Sequence, residues 1–224
     1  MAFFYTYCII KKFVFTLYFK VNIMDTNLED IKHIRSMMER SSKFLSLSGM
    51  SGVSAGFFAL VGAGVGHLIL KGELSITGVQ LYDFIILAVV TLILATSVGF
   101  FFCMRKAKKS GAKLWMPVTQ QIMRDFSVPM IIGGIFCIIL IYQQATRMVA
   151  PSMLIFYGLA LINAGSRTYR DIRILGACEI LLGLAAGVFV CNGLLFWAIG
   201  FGVLHIVYGI IIYYKYDMKS VKNG

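Results

Sequence analysis

The sequence predicts an all-α, polytopic membrane bundle: six transmembrane helices in three hairpins, preceded by a short amphipathic helix. Three observations carry this. First, 59% of the 224 residues are hydrophobic, 14% are charged, and the mean hydropathy is +0.83; a water-soluble domain has about a quarter of its residues charged. Second, the apolar residues form continuous runs without alternation. Helices therefore cross the lipid, because backbone amides there must pair within the segment. Third, the basic residues gather between alternate runs.

The same composition excludes a disordered chain, a collagen-like repeat and a disulfide scaffold. The net charge of +11 would point to nucleic acid in a soluble protein. Here no basic patch with interleaved aromatics exists outside short loops, so no nucleic-acid partner is expected. The five cysteines (Cys8, Cys103, Cys137, Cys178, Cys191) form no CxxC and have no histidine at ligand spacing. No metal and no cofactor are expected from them.

Residues 1–23 are built almost wholly from Phe, Tyr, Ile, Val, Lys and Thr. Lys11, Lys12 and Lys20 break the apolar runs into pieces too short to span, and no cleavage signal follows. This alphabet is what AT-rich DNA gives when translated in frame. The segment reads as a non-native extension, with Met24 as the natural start. The alternative is a basic-aromatic interfacial anchor.

Residues 24–43 predict a cytoplasmic amphipathic helix. Thr26 and Glu29 have capping-box spacing, and Leu28, Ile31, Ile34 and Met38 form an apolar stripe. Opposite lie Glu29, Asp30, Lys32, Arg35, Glu39 and Arg40, with His33 facing water.

The membrane domain is expected over 44–214, with apolar segments at 44–70, 83–103, 128–143, 151–166, 174–190 and 194–214, and a cytoplasmic tail at 215–224. About 20 residues are needed to cross a ~30 Å core. The fourth segment is short and opens at Pro151, which suits a first helical turn; it extends to about Tyr169 or is shielded by its neighbours. With this threading, and counting from Met24, sixteen basic residues fall on one side and two, Lys71 and Arg147, on the other. The positive-inside rule then places both termini in the cytoplasm. No match between the first three and last three helices indicates an inverted three-plus-three repeat, so three sequential hairpins are expected.

Small residues crowd the first segment. Gly52–Gly56 and Gly62–Gly66 are both GxxxG, which lets backbones approach closely. They predict helix packing within the chain, with a homo-oligomer seam or a ligand groove as the alternative. Gly52-Val-Ser54-Ala-Gly56 and Gly49-Met-Ser51-Gly52 resemble serine-hydrolase motifs. The first lacks a strand–turn–helix elbow. The second has the GxSG of rhomboid proteases, with His205 on a later helix, but on the wrong helix and without a preceding HxxxN. Catalytic residues are therefore not expected, and a Ser51–His205 hydrolase is the least favoured alternative.

Ionisable residues within spans carry more weight, because charge in lipid is costly. Glu179 in the fifth segment and His205 in the sixth are equidistant from a turn at Cys191-Asn192-Gly193 and lie level in an antiparallel hairpin. A Glu–His hydrogen bond would satisfy both, either as a structural clasp or as a proton-relay or ligand site. Asn163 is a secondary polar candidate. His67 and Asp83 should lie level at the outer boundary as a solvated interfacial pair. His67 and His205 differ in depth and cannot share one haem iron.

Further text lies in Met153-Leu-Ile-Phe-Tyr-Gly-Leu-Ala-Leu-Ile-Asn163, Leu175-Gly-Ala-Cys-Glu179-Ile and Gly193-Leu-Leu-Phe-Trp197 through His205-Ile-Val-Tyr208-Gly, with Met37-Met-Glu-Arg-Ser-Ser-Lys-Phe44 and the SLSGMSG stretch upstream. From residue 24 to its end the chain resembles an uncharacterised family of small six-helix, multi-pass membrane proteins from Bacteroidota. The resemblance implies a bacterial cytoplasmic (inner) membrane and transfers no reaction or catalytic residue.

The expected function is thus a non-enzymatic module embedded in the lipid bilayer: helix-packing, partner-binding or sensory. Residues 27–43 and the 104–127 loop would meet a cytoplasmic protein or anionic lipid. The alternative is a small proton-linked transporter or permease using Glu179 and His205.

Overall fold

The computed structural model describes residues 48–109, 117–166, 168 and 170–218, apart from the side chain of Lys109. The expected extension 1–23, the Met24 start, the amphipathic helix 24–43 and the tail beyond Met218 lie outside the described residues.

Helix α1 is Gly49–Leu70, α2 Gln80–Lys109 and α3 Pro117–Tyr142. A 3₁₀ turn, Thr146–Met148, leads into α4, Val149–Gly165, and α5 is Arg170–Val188. After a second 3₁₀ turn the chain closes with one continuous rod. It comprises α6 (Gly193–Trp197), a π-helical stretch (Ala198–Leu204), α7 (His205–Ile212) and a π turn (Tyr213–Asp217).

Five of these helices are long and apolar enough to cross a membrane: α1, α2, α3, the Thr146–Gly165 helix and the last rod. Their outward faces are apolar. On α2, Leu92 and Phe100 are 60% and 62% exposed, and Ile85, Val89 and Ile93 are exposed beside them. A surface of this kind is solvated by lipid tails. This is the architecture of a multi-pass membrane protein. The expected fifth span lies in α5, which falls short by composition. Arg170, Asp171 and Arg173 occupy its start and Glu179 its middle, and Ile174–Val188 rises about 22 Å against a ~30 Å core.

The helices run past the apolar segments that mark them. The expected 104–127 loop is largely helical. Arg105, Lys106, Lys108 and Lys109 sit on the last turns of α2, and Arg124 on α3. Lys, Arg and Gln are good helix formers, and Pro117 occupies a first-turn position where its missing N–H costs nothing. The short fourth segment gains its length at the front, through Thr146–Met148, and is the most buried of the five apolar helices.

Packing departs from three self-contained hairpins. The first two hairpins pack, α1 on α2 and α3 on α4. The third does not close on itself. α5 packs mainly on α4, and the last rod mainly on α1. Both of these contacts are made backbone to backbone through glycine. A methyl group on Gly158 of α4 would come within 2.5 Å of the Gly176 carbonyl oxygen on α5, and one on Gly56 of α1 within 2.5 Å of the Gly202 carbonyl oxygen on the last rod. Side chains larger than hydrogen would hold these helices apart, which is why small residues mark the seams.

One end of the bundle gathers the start of α1, the end of α2, the start of α5 and the end of the last rod. Asp217 accepts from the Gly49 backbone N–H at 3.0 Å and from the Lys106 ammonium. Asp171 accepts from Lys215 at 2.8 and 3.0 Å and from the Tyr216 hydroxyl at 2.8 Å.

Candidate functional site

Three helices assemble a buried polar cluster. Glu179 comes from α5, Tyr157 from α4 and His205 from the start of α7. Glu179 is 0% exposed and His205 7%. Among the described residues, neither carboxyl oxygen of Glu179 has a hydrogen-bond partner. Burial of an ionised carboxylate without donors is expensive, so this group stands out chemically.

His205 is fully committed. Its Nδ1 lies 2.9 Å from the Gly200 carbonyl oxygen and its Nε2 2.6 Å from the Tyr157 hydroxyl. A carbonyl can only accept, so Nδ1 carries a hydrogen and donates it to Gly200. In the neutral ring Nε2 is then an acceptor, and Tyr157 O–H donates to it. Glu179 Oε1 lies 3.5 Å from His205 Nδ1. The two residues are adjacent, but the hydrogen bond expected between them is not formed, because the Nδ1–H already goes to Gly200.

The π-helical stretch makes the room. Its Gly200 faces the Glu179 carboxyl, and a methyl group there would sit 2.6 Å from Oε2. Single π turns inside longer helices occur frequently at functional sites. Aromatic rings cover the cluster. Phe201 lies 4.9 Å from the Tyr157 ring and 5.9 Å from the His205 ring, Trp197 lies 5.3 Å from Phe201, and Phe126 lies 6.0 Å from Tyr157.

The other sequence candidates lie elsewhere. Asn163 and His67 are exposed. Asp83 is 1% exposed and does not form the solvated pair expected with His67. Its carboxylate instead accepts from the Thr77 and Ile76 backbone N–H groups at 2.8 and 3.2 Å and from the Thr77 and Ser75 hydroxyls at 2.7 and 2.9 Å. It pins the loop ahead of α2, a structural role at a helix start. Ser51 donates to the Ser48 carbonyl at 2.6 Å, so the Ser51–His205 pairing that a hydrolase needs is not formed. Gly52 and Gly56 face the last rod at Gly209 and Gly202, Gly62 faces Thr91, and Gly66 faces Phe84 of α2 and Leu194 of the last rod. All four thus meet helices of the same chain. Among the described residues no three His, Cys, Asp or Glu side chains converge to hold a metal.

Sequence reasoning missed Tyr157 and Gly200. Neither carries a signal of its own in the sequence, but one marks their neighbours: Gly176-Ala-Cys-Glu179-Ile180-Leu-Leu-Gly183 and Gly202-Val-Leu-His205-Ile206-Val-Tyr-Gly209 are the same pattern, with the two ionisable residues at the same position. Compared with known proteins, the chain matches no family model, no curated protein and no solved structure.

Proposed function

We propose that this is a six-span protein of a bacterial inner membrane with both termini cytoplasmic, and that Glu179, His205 and Tyr157 form a proton-exchanging site of a small proton-linked transporter. The observation that carries this reading is the Glu179 carboxyl: wholly buried, with neither oxygen hydrogen-bonded among the described residues, beside a histidine whose Nδ1 is 3.5 Å away. A packing clasp gains from satisfied hydrogen bonds, whereas an unsatisfied carboxyl is costly to keep and is found where function requires it. Six spans follow if α5, shielded by α4, crosses with its charged start at the interface.

The test is hydrogen exchange of that carboxyl. In lipid nanodiscs, the infrared C=O band lost in Glu179→Gln is recorded after transfer to heavy water. A transporter site exchanges promptly while the protein stays folded. A band that shifts only on unfolding would make the cluster a sealed clasp.

A second reading keeps the chain as a non-enzymatic, partner-binding or sensory module. It draws on the sixteen-to-two bias of basic residues, which suits a cytoplasmic protein or anionic lipid. Vesicles with and without anionic lipid distinguish it.

A further inference from the structure

We infer that the bundle moves as two rigid helix pairs, α4 with α5 and α1 with the last rod, which rock against each other about the Glu179–His205 contact and open the cluster to one membrane face at a time. This deepens the proton-linked reading and rests on it.

The two pairs are built alike. In each, one copy of the G-x-x-(Glu/His)-Ile-x-x-G pattern docks on a glycine of the partner helix. A methyl on Gly158 would meet Gly176 O at 2.5 Å, Ile180 Cγ1 at 2.7 Å and Ile180 N at 3.0 Å. One on Gly56 would meet Gly202 O at 2.5 Å, Ile206 Cγ1 at 2.7 Å and Ile206 N at 3.0 Å. One turn further along, Gly183 abuts the backbone nitrogen of Ile155 and Gly209 that of Val53, each three residues before its glycine.

The pairs are also inverted. α1 starts at the end of the bundle where Asp217 receives the Gly49 N–H. α4 finishes at that same end, next to the start of α5, where Asp171 holds Lys215. α1 and α4 therefore run in opposite directions while presenting matched seams. This is an inverted repeat of helix pairs, invisible to a comparison of the first three helices with the last three because the second pair joins α1 to the last rod. Inverted repeats with a polar site at their interface are the architecture of rocking transporters.

The interfaces differ in kind. Within each pair, the backbones approach through glycine, so closely that an added methyl at the seam would clash. Between the pairs, side chains do the packing: Gly200 against Leu154 and Leu182, Tyr157 against Phe201, and Leu204 and Tyr208 against the Leu161, Ile172 and Leu175 cluster. Side chains can change rotamer as the bodies turn. Ionisable groups of the two pairs meet at two levels: Glu179 lies beside His205 in the middle, and Asp171 pairs with Lys215 at one end. The titratable groups around the central contact are Tyr157 from α4 and His205 and Tyr208 from the last rod; among the described residues no hydrogen bond or ion pair joins Glu179 to α1, α2 or α3. Redirection of the His205 Nδ1–H hydrogen bond from the Gly200 carbonyl to an ionised Glu179, with the proton staying on Nδ1, is the local event that would draw one pair toward the other.

Spin-label distances test this in a cysteine-free background in nanodiscs. Leu70 with Met148 and Ile174 with Tyr214 span the two pairs at opposite ends. Leu70 with Leu195 and Met148 with Val188 lie within single pairs. All are exposed. On stepping the pH through the Glu179 titration, and in Glu179→Gln, the two spanning distances should change in opposite senses while the within-pair distances hold. Unchanged spanning distances, or within-pair distances that move as much, overturn the inference. If the Glu179 band exchanges and titrates while the distances stay fixed, the rocking fails and the proton site stands.

Discussion

His205 donates its Nδ1–H to the carbonyl oxygen of Gly200, five residues earlier on the same rod, at 2.9 Å. The bond fixes the tautomer and leaves Nε2 facing Tyr157 as an acceptor. In ¹⁵N spectra of selectively labelled protein, neutral His205 should show a protonated Nδ1 and a bare Nε2. Tyr157→Phe removes the donor and should cost about 1–3 kcal/mol, moving the Nε2 resonance and leaving Nδ1 in place. A purely steric role for Tyr157 would leave both resonances unmoved.

Gly200 is where the fold and the cluster meet. Gly200→Ala should displace both Leu154 and the Glu179 carboxyl, because the new methyl would sit 2.4 Å from Leu154 Cδ2 and 2.6 Å from Glu179 Oε2. Overpacking of this kind costs about 1–3 kcal/mol. The Glu179 infrared band should shift with it. Gly187→Ala, whose nearest neighbour would be Pro151 Cβ at 3.9 Å, is the matched change that should leave stability and band alone.

The two glycine seams should respond equally. Gly56→Ala and Gly158→Ala each force a methyl to 2.5 Å from a carbonyl oxygen and should each lower unfolding stability in mild detergent by about 1–3 kcal/mol. Gly64→Ala and Gly134→Ala, with nothing within 4 Å of the added atom, should be near neutral. Unequal seams would contradict the matched pairs.

The Asp171 clasp should be acid-sensitive. Asp171 lies ahead of the apolar part of α5. Burial raises its carboxyl, but hydrogen bonds from Lys215 and Tyr216 outweigh burial and hold it below the usual carboxylate range. A lowered folded-state value adds stability above the unfolded-state value, and that stability is lost as pH falls through the folded one. The wild-type midpoint should therefore drop more than that of Asp171→Asn as acid is added. The difference should be small, because half-exposed Lys215 is screened by solvent.

Gln144, at φ +59°, closes α3 in the left-handed region without being glycine. Gln144→Gly should raise stability by up to about 1 kcal/mol, and Gly78→Ala, at φ +79°, should lower it by about 1 kcal/mol. Equilibrium unfolding in detergent reads both.

The helical class and the apolar runs were legible because lipid imposes length and continuity on a crossing segment. Helix ends were not. Lys106 and Arg124 extend α2 and α3 by helix propensity, and Lys106 also by its contact with Asp217, neither of which hydropathy registers. Equidistance from the turn found the Glu179–His205 neighbourhood but not its bonding, since a π turn that brings the Gly200 carbonyl under His205 leaves no mark in apolar periodicity. Tyr157 read as one aromatic in an apolar run. Asp83 read as solvated because it was placed at the outer boundary, where water is close, and nothing in Ser75-Ile76-Thr77 marks that this loop folds back onto it.

The central claim is that Glu179, beside His205, exchanges its proton with water while the protein stays folded. The most direct measurement is an infrared difference titration of the Glu179 carboxyl in nanodiscs, wild type against Glu179→Gln, repeated in His205→Ala. The expected result is a carboxyl band that titrates while the protein stays folded, with a midpoint displaced by His205→Ala. A band that never titrates in the folded protein, or one indifferent to His205, would contradict it.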